Sequence, residues 1–191
     1  MKRFCMLSIS ALVVPMALAA QQPPAPQPDP MTAGFKAFGT RYEGWLTAAF
    51  DSIPASKYGF KPTPAQQTIG YVAQHLEAAN YQLCSAFGGM QHAMTARDSL
   101  ADTVKAAWPK DTLTARLKAS FVFCDNALAT VNDANLSGMV PVGPPSAGRT
   151  SVRSRLVLVY VADLVDHYSQ MANYMRLTGM LPPSALPRPS R

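Results

Sequence analysis

Four stretches of this chain place apolar residues at three- and four-residue steps, each bounded by proline or glycine. Surface patterned that way is buried by packing helices side by side. In residues 32–52, Phe35, Phe38, Tyr42, Trp45 and Ala49 define one face. Residues 67–87 carry a stripe of Ile69, Val72, Leu76, Ala79 and Leu83, and Gly88-Gly89 stops it. Leu117, Phe121, Cys124, Leu128 and Val131 line one side of residues 113–133. The last stretch, 150–178, ends at Gly179 and Pro182-Pro183. Pro54, Gly59, Pro62 and Pro64 make residues 53–66 a loop, and 135–149 is a second loop rich in glycine and proline. Between the second and third stretches, residues 90–111 hold at most a short helix near 99–107. No segment reads as a strand, and no internal repeat is present. The pattern predicts an all-α fold, a four-helix bundle.

The ends are of different character. Lys2 and Arg3 precede a mostly apolar run from Cys5 to Leu18, and Ala17-Leu18-Ala19 has the small-x-small form of a cleavage site. Residues 1–19 therefore read as an export signal, too short and too interrupted by Pro15 for a comfortable span. Cys5 lies too early to be a lipid-modified cysteine. No second apolar run approaches spanning length. The expected location is secreted or periplasmic. Residues 20–31 form a proline-rich linker, 32–180 the bundle and 181–191 a proline-rich tail. Without the signal, 15 basic residues stand against 11 acidic ones, a net charge of +4 on 172 residues. That excess is scattered, with no basic stripe interleaved with aromatics, so nucleic acid is not an expected partner. The mature chain keeps Cys84 and Cys124. An even count in an oxidising compartment predicts a disulfide; two separate buried thiols are the alternative.

Chemistry concentrates in the last helix. Asp163 and His167 are four residues apart and point about 40° apart at about 100° per residue, in the same sector as Leu156, Tyr160 and Tyr174. Ionisable groups on an inward stripe must pair, bind a metal or face a wet cavity. An Asp–His hydrogen bond at the rim of the core satisfies that need as well as a metal does. His75 flanks the stripe of the second helix, where it is either a boundary residue or a third ligand. Two imidazoles and one carboxylate, His75, Asp163 and His167, form a ligand set that leaves positions open for water or a small-molecule substrate. Zinc, nickel, manganese or iron suits such donors. Tyr160 and Tyr174 are the nearest candidates for orienting substrate. Cys84 points away from His75, Glu77 and Asp166 are expected in solvent, and His92 on the surface of a loop. There is no Cys-x-x-Cys-His haem attachment, no glycine-rich phosphate loop and no nucleophile elbow around any serine.

Tyr58-Gly-Phe60-Lys-Pro62-Thr-Pro64, then Gln74-His75-Leu76, then His167-Tyr-Ser-Gln170 and Tyr174-Met-Arg-Leu-Thr-Gly-Met-Leu-Pro-Pro183, follow one another in an order that resembles the DinB-like (damage-inducible) superfamily, in particular its exported bacterial members. The resemblance spans residues 33–183. It implies an up-down-down-up four-helix bundle. It also implies a metal site made of one histidine from the second helix and a His-x-x-x-His pair from the fourth. His75 and His167 match two of those positions; Asp163 stands where the pattern has histidine. A carboxylate there either changes the metal preference or marks a site that has lost its metal. Relatives include metal-dependent transferases that activate a low-molecular-weight thiol and proteins labelled hydrolases, and homodimers are common among them. An exported chain does not ordinarily meet a cytoplasmic thiol, so activated water is the nucleophile expected of an enzyme here. A non-catalytic envelope or stress-associated bundle is the alternative.

Overall fold

The computed structural model describes residues 29–187. Residues 1–19, read above as an export signal, most of the 20–31 linker and the last residues of the tail lie outside them. Helix α1 (Pro30–Ser52) begins two residues before the predicted position, because its first turn is capped from far along the chain. Pro30 has no N–H to satisfy. The N–H groups of Met31 and Thr32 donate to the carboxylate of Asp133 at 3.1 and 2.7 Å, and the N–H of Asp133 donates back to Asp29 at 2.9 Å. Helix α2 (Ile69–Gly88) starts where Thr68 Oγ1 accepts from the N–H of Tyr71 at 3.1 Å, and it ends at Gly89, whose φ of 64° gives a left-handed cap.

The short helix expected near 99–107 is α3 (Asp102–Ala106), and the remaining long helices are α4 (Lys110–Ala129) and α5 (Arg153–Leu177). Helix α4 stops before its predicted end because Asn132 and Asn135 cap a separate 3-10 turn, Asp133–Asn135. The expectation of no strand is corrected. Strand β1 (Met139–Pro141) pairs antiparallel with β2 (Thr150–Val152), Val140 opposite Ser151. A three-residue ladder is too short for alternation to be legible, and it moves the start of α5 to Arg153.

Residue pairings fix the topology. Glu77 meets Arg116, Asn80 meets Ser120 and Cys84 is bonded to Cys124, so α2 and α4 run parallel. His75 faces His167 while Phe87 faces Tyr160, so α2 and α5 are antiparallel. Glu43 accepts from Tyr160 and Trp45 stacks on Tyr168, so α1 and α5 are parallel. The four long helices form an up-down-down-up bundle, as the sequence predicts. Parallel neighbours need a long crossover, and the segment holding α3 supplies it.

Leu46, Phe50, Leu76, Phe87, Leu117, Tyr160, Leu164 and Met171 fill the core, each no more than 1% exposed. Each such side chain contributes about 1.5–3 kcal/mol by leaving water. Gly70 in the first turn of α2 and Gly88 at its end stand where neighbours come too close for a side chain. A Cβ on Gly88 would lie 2.6 Å from Cβ of Ala127, and one on Gly70 would overlap the carbonyl oxygen of Ala106. Cys84 and Cys124, both fully buried with Cα atoms 5.2 Å apart, form the anticipated disulfide between α2 and α4. Closing a loop of this size stabilises the fold by about 4 kcal/mol on the chain-entropy model. No described helix is long and apolar enough to cross a membrane.

Candidate metal centre

Packing α2 against α5 antiparallel sets His75 beside the same-face pair Asp163 and His167. Each offers a ligand atom, and these atoms lie within 4.8 Å of one another. The two imidazole rings meet edge to face, centroids 4.9 Å apart. His167 Nε2 lies 3.4 Å from Asp163 Oδ1. Ligands on a tetrahedral ion with bonds of about 2.0–2.1 Å lie roughly 3.3 Å apart, so this pair already has metal-like spacing. The site is neither sealed nor open: the side chains of His167 and Asp163 are 12% and 24% exposed.

The orientation of His167 is set by α5 itself. Tyr174 Oη donates to the backbone carbonyl of Gln67 at 3.1 Å and accepts from Gln170 Nε2 at 3.0 Å. That fixes the Gln170 amide with Oε1 towards His167 Nδ1, 3.1 Å away. An amide oxygen only accepts, so Nδ1 carries a proton, and Nε2, turned towards Asp163, is left to bind a metal when neutral or to donate to the carboxylate when protonated. Burial disfavours charge on His167, but its hydrogen bonds to Asp163 and Gln170 outweigh burial and raise its pKa. His75 moves the other way: burial first, and then the neighbouring His167, push its pKa down and keep it neutral.

A second observation bears on whether an ion fits. Asp163 Oδ2 is enclosed and has no hydrogen-bond partner. A buried carboxylate oxygen left unpaired is costly, and a divalent cation removes that cost. Two neutral imidazole nitrogens and one carboxylate suit a borderline metal and leave coordination positions open.

The two tyrosines have different fates. Tyr174 joins the chain of hydrogen bonds that orients His167. Tyr160 does not reach the site; it is fully buried and donates to Glu43. Asp166 is exposed, as expected. Two expectations are corrected. Glu77 is 5% exposed and bonded to Arg116, because the parallel helix α4 comes alongside it. His92 is not a free surface residue: its ring stacks on Tyr81 with centroids 3.5 Å apart and meets Phe123 edge to face. Gln170 is the functional residue that sequence reasoning passed over. Its signal was the three-residue step from His167, inside a segment quoted only for its resemblance.

No curated protein matches the sequence. Among solved structures the fold is similar to a DinB-like protein from Bacillus cereus, with TM-score 0.61 and 19% identity over 81% of this chain and 97% of that one. It is also similar to a conserved protein from Enterococcus faecalis, TM-score 0.58 and 15% identity over 76% and 95% of the two chains. A mutant of mycothiol-dependent maleylpyruvate isomerase aligns with TM-score 0.56 and 12% identity, covering 75% of this chain and 60% of that one. At such identities these likenesses establish the fold. The family model described as the DinB superfamily matches residues 43–171, well over half the sequence, so the chain belongs to the DinB superfamily.

Proposed function

We propose that this chain is an exported, metal-dependent hydrolase or transferase of a small molecule, built on one divalent ion held by His75, Asp163 and His167. The observation that carries the reading is the enclosed, unpartnered Oδ2 of Asp163, on a carboxylate whose other oxygen lies 3.4 Å from His167 Nε2. An ion bound there supplies Lewis acidity to a water or thiol in its open positions. His75 and His167 bind as neutral imidazoles, Asp163 lowers the net charge of the site, and Gln170 keeps the Nδ1 proton on His167. Water is the favoured nucleophile, because an exported chain, the reading that residues 1–19 support, does not ordinarily meet cytoplasmic thiols. A homodimer is the proposed assembly, following the superfamily; a monomer mass by light scattering overturns it.

The test is metal titration of the chelated protein with zinc, nickel, manganese and iron. One equivalent binds the parent, and His75→Ala and His167→Ala each abolish stoichiometric binding. Absence of any stoichiometric ion in the parent sinks the metal reading. Full retention in both variants sinks the ligand assignment. A second reading is a non-catalytic bundle in which Asp163 and His167 form an ion pair. It rests on their 3.4 Å separation and the raised pKa of His167. In that case no ion binds, and Asp163→Asn costs stability equally with and without chelator.

A further inference from the structure

A cavity of about 910 Å³ opens beside α2, about a quarter turn around the helix from His75, and none of the three candidate ligands lines it. Its size suits a small organic ligand, whose sites run to about 300–1,000 Å³. The crossover after Gly89, Arg116 of α4 and the segment just after β1 enclose it. Tyr81 and His92, stacked face to face on each other, add aromatic surface to its lining. Both cations in the lining are already committed. Arg116 is bonded to Glu77 and Asp98, and Lys105 lies 3.0 Å from Asp102. Neither the lysine nor the arginine of the lining is therefore spare to neutralise an anion.

Gln74 is part of the lining, 1% exposed, with both Oε1 and Nε2 of its carboxamide lacking a hydrogen-bond partner. A buried amide without partners costs free energy that leucine in its place would not. The two vacant functions are adjacent, one acceptor and one donor. They match the N–H and C=O of another amide, which would satisfy both at once. We propose that this cavity is a second small-molecule site, selective for an uncharged aromatic or heteroaromatic amide, with the Tyr81–His92 pair packing against its ring and Gln74 pairing with its amide edge.

The probe is 2-naphthamide, compared with its anionic isostere 2-naphthoate, titrated calorimetrically into the full mature chain. The amide binds saturably at one per chain, with or without chelator, and the carboxylate binds at least tenfold more weakly. Gln74→Leu weakens the amide at least tenfold yet melts no lower than the parent, because it removes an unpaired polar group. Ser85→Phe, which fills the cavity from the end far from His75, abolishes binding. Metal stoichiometry is measured on each variant, so a failed metal centre and a failed cavity are told apart. The proposal falls if the parent shows no saturable amide binding. It falls equally if amide and carboxylate bind alike, or if Gln74→Leu binds like the parent. A lower melting temperature for Gln74→Leu overturns its premise, that the amide lacks a partner within the protein.

Discussion

A histidine beside a carboxylate becomes a directed ligand only when its other nitrogen is held, and here Gln170 holds it. Removing such a partner usually lowers metal affinity about 10–100-fold while leaving the ligands in place. Gln170→Ala is therefore expected to weaken binding by that factor in a competition titration with a chromogenic chelator, with little change in fold. Tyr174→Phe, which removes the anchor of the Gln170 amide and its relay to Gln67 but leaves Gln170 itself beside His167, should have the smaller effect of the two. A different polar pair sits in the core. Burial pushes the Glu43 carboxyl up to about 7, against the hydrogen bond from Tyr160, and the neighbouring Asp125 adds to the rise. The folded protein thus holds a proton that the unfolded chain releases near 4.5, so stability falls as pH rises from about 4.5 to about 7. Glu43→Gln should flatten that slope in urea midpoints measured across the range; an unchanged slope would assign it to other groups. Tyr160→Phe leaves the carboxylate without its donor and should cost about 1–3 kcal/mol. At this scale the three candidate ligands were legible, since i,i+4 spacing puts two on one face and the motif order supplies the third. Gln170 was not, because its role depends on a rotamer. Glu77 was misread because its partner lies 39 positions away on a helix whose direction spacing alone does not reveal.

Between α2 and α4 the crossover is held by a knot of charge. Arg116 joins Glu77 and Asp98 and lies over Trp108, its guanidinium carbon 5.0 Å from the ring centroid, while Arg97 covers the same ring at 5.3 Å. Burial alone would raise the Asp98 carboxyl. The Thr95 hydroxyl and N–H, with Arg116, outweigh it and hold the pKa at about 2. The contribution of Asp98 is present in full above the ordinary 3.8 and is lost as pH falls towards 2. Trp108 fluorescence should therefore report loosening of this segment in acid before global unfolding. Arg116→Met strands two carboxylates and should cost about 3 kcal/mol, the low end for breaking a buried pair, because the Arg116 side chain is 22% exposed. Gly70→Ala drives a methyl into the Ala106 carbonyl and should cost about 1–3 kcal/mol by pushing α2 off α3. Helix positions were legible from periodicity and glycine stops. The early start of α1 was not, because Asp133 caps it from 101 residues away, nor was the β1–β2 ribbon, which is too short to show a period.

Over the whole molecule the up-down-down-up order was legible through family resemblance rather than pattern, since periodicity counts helices without ordering them. The disulfide was legible only as an even count. Metal binding should act as a further tie between α2 and α5: an ion at one hundred times its dissociation constant stabilises the fold by about 2.7 kcal/mol. Melting temperature should rise accordingly on adding the ion, and should not rise for His75→Ala. The link between Cys84 and Cys124 has one more effect. It turns the chain between those positions into a covalent ring with a peptide tail at each side, and the crossover is part of that ring. A protease that cuts after the exposed Arg97 opens the ring but releases nothing. The nicked protein should run as one species until a reductant is added, and only then separate into two. Continuity of the backbone through this segment and integrity of the molecule are, for this protein, separate properties.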